Sequence, residues 1–508
     1  MVPEIEFVKK YTAKEILNKN KKNLDDSIIN EYIDSVEHSD VNHLDVVHKC
    51  EISLINIQLS LVNSLRRIMI SYIPIVALGK INIEKNNTSL INEFIEKRLQ
   101  LLSLTMQEQN KFGDNYNIRT DTILNSLRLK SSYNKNTGTR EYNFIEDAGD
   151  IEFSLNKANN IEIEYIKSIN IINNNNNKYF RKDSFSNEYD IITKLKENEE
   201  LSINMGLDCG IGFNNTIYSP VGTVSVKPVY INNIEDIKIM LEKAKSKDPN
   251  LNTEKLIKSL ENEKILYIQS YESYKNNIIN EKLEKGLITE EEKENPFDDD
   301  ELDNIKHDFD TLIRPRIYPD NINGDSTSYI INIETNNNLK CEQIFIDALS
   351  VLYISIQDLI SNIKLNYKPV SYKENLCTKL ILEQIDSNKY KLFIENENNT
   401  IGNLLFNYLD NYNNTLSEEK LEFISYSQPH PLINNILFKF DTELGDKHIL
   451  KIIKNVLQLI QEDIKTIGEQ YLEILKSKFN YDTIELNEYP DYLKIPDFIS
   501  YTSFLLEI

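Results

Sequence analysis

The sequence predicts an α+β fold in which strand-rich segments alternate with helices long enough to form a bundle. Residues 59–73 repeat apolar side chains at helical spacing, and residues 78–83 alternate apolar and polar side chains as a half-buried strand does. Two longer apolar stripes of helical period follow at 342–364 and 447–476. A chain of 508 residues is too long for one hydrophobic core, so about three domains are expected.

The first patterned segment has the order helix, strand, turn, helix. Its first helix carries a broad apolar stripe, formed by Leu59, Leu61, Val62, Leu65, Ile68, Met69 and Ile73. Pro74 ends this helix because proline lacks the amide hydrogen and disfavours helix at the residue before it. After the strand, Asn86–Thr88 predicts a turn, and Leu90, Phe94 and Leu99 predict the apolar face of a second helix.

Other segments have simpler patterns. Asn399 or Thr400 can cap a helix whose apolar face is formed by Ile401, Leu404, Leu405, Tyr408 and Leu409. Residues 1–49 predict a polar, helical extension, and 232–306 predict a charged helical insertion. The asparagine run at 173–177 predicts a loop.

Arg66 and Arg67 are adjacent on the first predicted helix. Because successive residues are about 100° apart around a helix, one arginine points nearer the apolar edge and the other outward. From the pattern alone, a solvated helix face and a functional surface both remain open.

The composition and charge favour protein partners. The formal net charge is −23 and no Lys/Arg cluster is evident, which argues against a nucleic-acid-binding surface. No run of about eighteen apolar residues occurs and the N-terminus lacks the order of a signal peptide, so we expect a soluble, intracellular protein without membrane contact. Cys50, Cys209, Cys341 and Cys377 are scattered without a CxxC pair, so no metal site and no cofactor is expected.

No catalytic constellation is predicted. The sequence has no Gly-rich phosphate loop, no nucleophile elbow and no HExxH motif. The acidic run 298–301 predicts a solvated loop, and 308–310 predicts a surface segment leading into a strand. The segment Gly210-Ile211-Gly212 lacks the third glycine and following helix of a dinucleotide site. His430, flanked by prolines, predicts a structural turn instead of a catalytic base.

The first segment resembles the assembly-helix signature of alpha-like subunits of multisubunit RNA polymerases. That signature reads N-x-L-R-R-I, V-P-T-x-A, N-x-S-x-L-x-D-E and H-R-L-G-x-I-P. The matching residues are Asn63, Leu65, Arg66, Arg67, Ile68, Pro74, Ala77, Asn87, Ser89, Leu90, Glu93, Arg98 and Leu99. Lys97 and Gln100 stand in place of the histidine and the glycine, and 102–104 departs from the final I-P-L.

A second segment is similar to the element that closes the inserted domain of these subunits, G-x-G-x-x-H-A-K-W-S-P-V. Residues 210–213, 217–221 and 226–228 carry the match. Residues 214–216 replace the H-A-K, so the basic and imidazole contacts of relatives are missing here.

A third segment, residues 394–442, resembles the smaller alpha-like partner, with hallmarks D-H-T-L-G-N-L-L-R and Y-x-x-P-H-P-L. Residues 400–405 and 426–432 carry the match, whereas Asn398-Asn399 replace Asp-His and Phe406 replaces the arginine.

The resemblance implies that the large (D-type) and small (L-type) partners lie in tandem and form an intramolecular heterodimer. It predicts an N-terminal extension at 1–49, a D-type dimerisation domain at 50–118 and 307–366, a β-rich inserted domain at 119–231, a helical insertion at 232–306, a linker at 367–387, an L-type dimerisation domain at 388–480 and a C-terminal tail at 481–508. Covalent fusion replaces a bimolecular association by an intramolecular one, at roughly millimolar effective concentration.

The resemblance further implies a non-catalytic platform of a DNA-directed RNA polymerase, which nucleates binding of the two largest subunits and lies near a small subunit. The expected subunit-interface residues are Asn63, Arg66, Arg67, Pro74, Glu93, Arg98, Thr400, Gly402, Asn403, Pro429, His430 and Pro431. Fused subunits of this kind are a feature of large cytoplasmic DNA viruses, so host cytoplasm and virion are the expected locations. The alternatives are a structural scaffold outside transcription and an enzyme with a site in the acidic insertion.

Overall fold

The computed structural model describes only part of the chain. The described residues are 3–12, 47–104, 129–134, 139–144, 152–159, 163–173, 180, 188–229, 270–285, 297, 299–309, 328–335, 339, 341–366, 379–395, 397–417, 419–430 and 435–479.

The described residues contain sixteen strands and seven helices. The strands are Glu4–Thr12 (β1), Val47–Ile55 (β2), Pro74–Asn86 (β3), Leu129–Asn134 (β4), Thr139–Phe144 (β5), Phe153–Ala158 (β6), Ile163–Lys167 (β7), Ile172–Asn173 (β8), Ile191–Lys196 (β9), Glu200–Ile211 (β10), Val221–Pro228 (β11), Tyr329–Thr335 (β12), Lys379–Gln384 (β13), Lys389–Glu395 (β14), Phe423–Ser427 (β15) and Asn435–Asp441 (β16). The helices are Leu59–Ser71 (α1), Asn92–Gln100 (α2), 270–284 (α3), Asp299–Asp308 (α4), Cys341–Asn366 (α5), Asn399–Thr415 (α6) and Asp446–Phe479 (α7).

The first sheet has the strand order β1-β2-β12-β11, with β1 and β2 antiparallel. Helices α1 and α5 pack together, and α5 also packs on β2. The prediction of a helical extension at 1–49 is wrong for residues 4–12, because they form an edge strand whose register pairs Val8 with Ile52. A strand that pairs with residues more than forty positions away leaves little local signal in the sequence.

A second sheet of order β3-β10-β6-β8 continues directly from α1, since β3 starts at Pro74. The β4–β5 hairpin packs against β10, and the β7–β9 pair and α2 lie beside one another. The strand expected at 78–83 is therefore the middle of the longer β3. The segment 221–228, expected in the inserted domain, forms β11 of the first sheet.

The third sheet has the order β13-β14-β16-β15, with α6 packed against β15 and α5 against β13. Across β14 and β16, Leu392 pairs with Phe438 and Ile394 with Ile436, and all four side chains are buried. Alternate positions on the same strands are half-buried or exposed, as expected for a sheet covered on one face. Helices α5 and α7 contain the predicted stripes at 342–364 and 447–476.

Residues 227–329 form a second compact unit, of which α3 and α4 are described. These helices pack around Ile279, Phe297 and Ile305. The prediction of a solvated loop at 298–301 is wrong for Asp299–Glu301, because this acidic stretch begins α4, where carboxylates favour the positive end of the helix dipole.

The expected surface segment at 308–310 also differs from the structure. Asp308 ends α4, and Phe309 is fully buried, with its ring 5.4 Å from that of Tyr271 and 5.6 Å from that of Tyr274. The Phe309 ring therefore belongs to the core of this unit. Asp310 lies outside the described residues, as do residues 367–378 of the predicted linker and the predicted tail 481–508. The linker prediction, 367–387, is wrong for residues 379–384, because they form β13 and pair with β14 in the third sheet.

The helix pattern at 59–73 is largely confirmed. Leu61, Val62, Leu65, Ile68 and Met69 are buried on α1, which ends at Ser71 ahead of Pro74, whereas Leu59 is exposed at the first turn. None of the described helices combines the length and apolarity needed to cross a bilayer. In the same part of the chain, no group of three or more His, Cys, Asp or Glu side chains is placed to hold a metal ion.

Candidate functional site

Four helices from the two halves of the chain meet in one bundle. Helix α1 contacts α5 and α6, and α7 in turn contacts α5 and α6. The facing side chains are mostly buried aliphatic residues at helical spacing, among them Leu65, Leu352, Leu404 and Ile460. Helices α1 and α5 precede residue 367 and α6 and α7 follow it, so the bundle joins the two halves.

The contact between α1 and α6 is close because it is made at a small side chain. The buried Ser64 hydroxyl lies 3.0 Å from the backbone carbonyl oxygen of Thr400 and 2.8 Å from that of Ser60. A hydroxyl can share its proton between two such acceptors, and one of them belongs to the other half of the chain.

Tyr72, just after α1, forms a second link. Asn398 Nδ2 donates a hydrogen bond to the Tyr72 hydroxyl, while the Tyr72 ring stacks on Phe213 at 5.4 Å. Burial, reinforced by the nearby Glu397 carboxylate, raises the pKa of Tyr72 to about 12. The phenol is therefore held neutral at the junction.

Asn398 is also the N-cap of α6, since its Oδ1 accepts a 2.8 Å hydrogen bond from the Thr400 amide. The prediction that Asn399 or Thr400 caps the helix is wrong by one or two positions. The side chain that caps α6 is thus the same one that contacts Tyr72.

The long helices make further links. Gln461 Nε2 on α7 donates a 2.6 Å hydrogen bond to Gln357 Oε1 on α5. The rings of Phe345 and Tyr471 meet edge to face with centroids 4.8 Å apart. Gln470 Oε1 accepts a 2.8 Å hydrogen bond from the backbone amide of Ile5, so α7 also holds strand β1.

A buried ion pair joins the first strand to the bundle. Lys10 of β1 pairs with Glu342 at the start of α5, and both side chains are nearly inaccessible to solvent. Cys50 and Cys341 are buried beside them, and burial raises the pKa of both thiols. These thiols are therefore neutral and poorly suited to act as nucleophiles or metal ligands.

The segment after β10 closes the C-terminal end of α1. The Phe213 amide donates a 2.8 Å hydrogen bond to the Ser71 carbonyl oxygen. The Ser219 hydroxyl lies 3.2 Å from the Ile70 carbonyl oxygen. A Cβ atom at Gly212 would lie only 2.5 Å from the Ile70 carbonyl oxygen. Only glycine fits this approach, which explains the second glycine of the GIGF element in physical terms.

Comparison with known families agrees with this two-part arrangement. Residues 51–354 match the RNA polymerase Rpb3/Rpb11 dimerisation domain, and residues 389–470 match a second domain of the same description. The chain belongs to this Rpb3/Rpb11 family. It is an alpha-like subunit with two dimerisation domains fused in tandem, as the sequence predicted.

Individual relatives match shorter stretches. A conjugation stage-specific protein of Tetrahymena thermophila is 24% identical over 203 residues, which cover 39% of this chain and 62% of the relative. DNA-directed RNA polymerase subunit Rpo11 of Sulfurisphaera tokodaii is 35% identical over 89 residues, 18% of this chain and 88% of the relative. DNA-directed RNA polymerase II subunit rpb3 of Dictyostelium discoideum is 39% identical over 59 residues, which cover 12% of this chain and 20% of the relative. The matches thus span less than two thirds of the first and third relatives.

Of the predicted interface residues, three lie together on α1. Arg66 Nε donates a 3.0 Å hydrogen bond to Asn63 Oδ1 one turn earlier, and both side chains are half-buried. Arg67 is also half-buried, and its positive charge acts on the Tyr72 hydroxyl. Arg67 is therefore close to the junction between the halves, a location that the sequence pattern did not indicate.

The remaining D-type residues lie apart from this group. Pro74 is buried at the start of β3. Glu93 and Arg98 are exposed on α2, and Arg98 Nη2 donates a 2.8 Å hydrogen bond to the backbone carbonyl of Ile191.

The L-type residues fall into two groups. Thr400, Gly402 and Asn403 lie in the first turns of α6, where a Cβ atom at Gly402 would lie 3.1 Å from Ile436 Cδ1. This glycine therefore sets how closely α6 packs on the sheet. Pro429 and His430 are exposed after β15, while Pro431 lies outside the described residues.

Sequence reasoning missed one surface on α2. Ile95 and Leu99 form the buried face of this helix, and Phe94, expected in that face, is 62% exposed. With Ile91 (59%) and Leu101 (65%), Phe94 forms an exposed apolar stripe, which we call the α2 stripe. Its signal in the sequence is the excess of apolar residues over what one buried helix face can hold.

Proposed function

We propose that the chain is a non-catalytic assembly platform of a DNA-directed RNA polymerase, and that it binds the two largest subunits of that enzyme and contacts one small subunit. Membership of the Rpb3/Rpb11 family of polymerase subunits rests on the two tandem domain matches. Binding of the two largest subunits is supported by surfaces that take no part in the internal bundle.

The α2 stripe is the observation that carries the proposal. Ile91, Phe94 and Leu101 are among the most exposed large apolar side chains of the described residues. Lys97 and Arg98 border them on the same helix. An apolar centre with a charged rim is the usual composition of a protein–protein interface.

Fusion supports the same function. The helices that two separate family members would use to dimerise already contact each other within one chain. Since that association is intramolecular, it does not depend on protein concentration. The chain can therefore present both halves of the platform to its partners in a fixed ratio of one to one.

The location is a separate proposal. We propose that the protein acts in the cytoplasm of a host cell, in the factories of a large DNA virus, and is packaged in the virion. The support is the fusion of both partners in one polypeptide and a composition rich in Asn, Ile and Lys. Mass spectrometry of purified virions tests it: the proposal requires the chain to be present together with the large polymerase subunits.

A tagged double variant, Phe94→Glu with Leu101→Glu, tests the platform function. Charges in the α2 stripe should abolish co-purification of at least one large subunit while leaving the circular dichroism spectrum unchanged, because both side chains are already exposed. Leu444→Glu, at an exposed apolar residue before α7, is the matched control and should retain both subunits. Undiminished recovery with the stripe variant would contradict the proposal.

Arg66→Ala with Arg67→Ala tests the second surface. Loss of the paired guanidinium groups should reduce binding of the large subunits without unfolding the chain, since Arg66 bonds only within its own helix among the hydrogen bonds of the described residues. If the wild-type protein itself recovers no large subunit, the scaffold alternative replaces the polymerase function.

A further inference from the structure

The β7–β9 pair presents an exposed face on which apolar and cationic side chains alternate. We call it the β7–β9 face; its members are Ile163, Tyr165, Lys167, Ile191, Lys194 and Lys196. In the antiparallel register, each row of the face pairs one apolar residue with one lysine: Ile163 with Lys196, Tyr165 with Lys194, and Ile191 with Lys167.

A β-bulge produces the third row. The register shifts between Ile166 and Lys167, so Ile192 is an extra residue on β9 and Ile191 turns to the same side as Lys194. On the opposite side of the pair, Ile166 and Leu195 are fully buried. One face of the pair is therefore buried within the protein, and the other is exposed to solvent.

The exposure of the face is large for apolar groups. Tyr165 is 56% and Ile163 54% exposed, and Ile191 is 45% exposed. Single exposed apolar residues are common, but three on adjacent rows of one small sheet form a continuous patch.

The charge of the face is opposite to that of the chain. The net charge of the protein is −23. Lys167 pairs with Glu188 at 2.8 Å, but Lys194 and Lys196 form no ion pair with any carboxylate of the described residues. The Arg98 guanidinium, held 2.8 Å from the Ile191 carbonyl oxygen, adds a further positive charge at the edge.

We infer that the β7–β9 face is a docking site for an acidic, apolar segment of another protein. Carboxylates of such a segment would meet Lys194 and Lys196, and its apolar side chains would cover Ile163 and Tyr165. This pattern fits a protein better than a nucleic acid, because single strands bind through successive aromatic platforms and this face has one aromatic ring among its apolar members. It lies next to the α2 stripe that carries the proposed function, since Arg98 is at the edge of both, but none of its six members belongs to that stripe.

A peptide-binding experiment on the full-length chain tests this inference. The probe is a fluorescein-labelled peptide of alternating glutamate and leucine, and anisotropy gives its Kd at low and high salt. Lys194→Glu with Lys196→Glu should weaken binding by about tenfold or more at low salt, because each reversal turns attraction into repulsion. Tyr165→Ser should weaken binding at both salt concentrations, since it removes apolar contact.

Lys439→Glu is the matched control, because it reverses an exposed strand lysine on the third sheet. Its Kd should stay within about twofold of the wild-type value. Equal loss of binding in this control would overturn the inference, as would unchanged binding in the Lys194/Lys196 variant. Tighter binding of a labelled oligothymidine that depends on the same two lysines would also overturn it, in favour of a nucleic-acid site.

Discussion

The buried Ser64 hydroxyl lies 3.0 Å from the backbone carbonyl oxygen of Thr400, and this contact joins two helices that are more than three hundred positions apart in the chain. It is possible because serine is small enough for α1 and α6 to approach each other closely. The two dimerisation domains of one polypeptide thereby form a single helical bundle.

A larger side chain at this position should separate the helices. We expect Ser64→Leu to lower the free energy of unfolding by about 1–3 kcal/mol, since overpacking a buried site forces side chains and backbone to shift. Urea denaturation measures the change. Ser89→Leu, at an exposed serine, should leave the free energy of unfolding nearly unchanged. An equally large loss of stability in this control would show that overpacking between α1 and α6 is not the cause.

Gly212 should tolerate no side chain. A Cβ atom there would lie 2.5 Å from the backbone oxygen of Ile70, so Gly212→Ala must displace the end of α1. We expect a loss of about 2 kcal/mol or more in the free energy of unfolding. Gly222→Ala is the control, because its nearest neighbour is 3.8 Å away and the site has room. Similar stability of the two variants would show that this close approach is unimportant.

The raised pKa of Tyr72 predicts that the stability of the folded chain falls at alkaline pH. The pKa of Tyr72 is raised from 10.0 to about 12 in the folded chain, so folding favours the neutral phenol. The stabilisation is complete below pH 10 and is lost as the pH rises through 12. Between these values the wild-type protein should lose more stability than Tyr72→Phe, which keeps the ring on Phe213. Parallel stability curves for the two proteins would refute this.

Substitutions of Lys10 and Glu342 should have strongly non-additive effects on the free energy of unfolding. Glu342→Leu and Lys10→Met should each cost about 3–5 kcal/mol, because each removes one charge of a buried pair and keeps the other. Lys10→Met combined with Glu342→Leu should recover most of that loss. Lys465→Ala, in an exposed pair with Glu469, should cost less than about 0.5 kcal/mol. Additive effects of the two buried substitutions would contradict this assignment.

The sequence predicted those parts of the fold that depend on local pattern. Helix α1, its end before Pro74, and helices α5, α6 and α7 followed from helical periodicity and a proline stop. The cap of α6 was misplaced because Asn and Thr are all common N-cap residues, so the sequence does not show which of Asn398, Asn399 and Thr400 begins the helix. In the structure Asn398 accepts the hydrogen bond from the Thr400 amide and also contacts Tyr72.

The features that were missed depend on distant contacts. Strand β1 depends on β2 and Gln470, and the role of Gly212 depends on a helix end that precedes it by more than a hundred residues. The sequence does not show whether Phe94 is exposed or buried, because a helix with apolar residues on two adjacent faces does not reveal which face meets the core. The β7–β9 face required a register and a bulge that no single strand encodes.

The central claim is that one chain provides both halves of the platform. Affinity purification of the tagged protein, followed by quantitative mass spectrometry, tests it most directly. The account predicts a complex that contains one copy of this chain and one copy of each of the two largest polymerase subunits. No separate protein of the Rpb3/Rpb11 family should be present. Recovery with a second, separate member of that family, or without the large subunits, would contradict it.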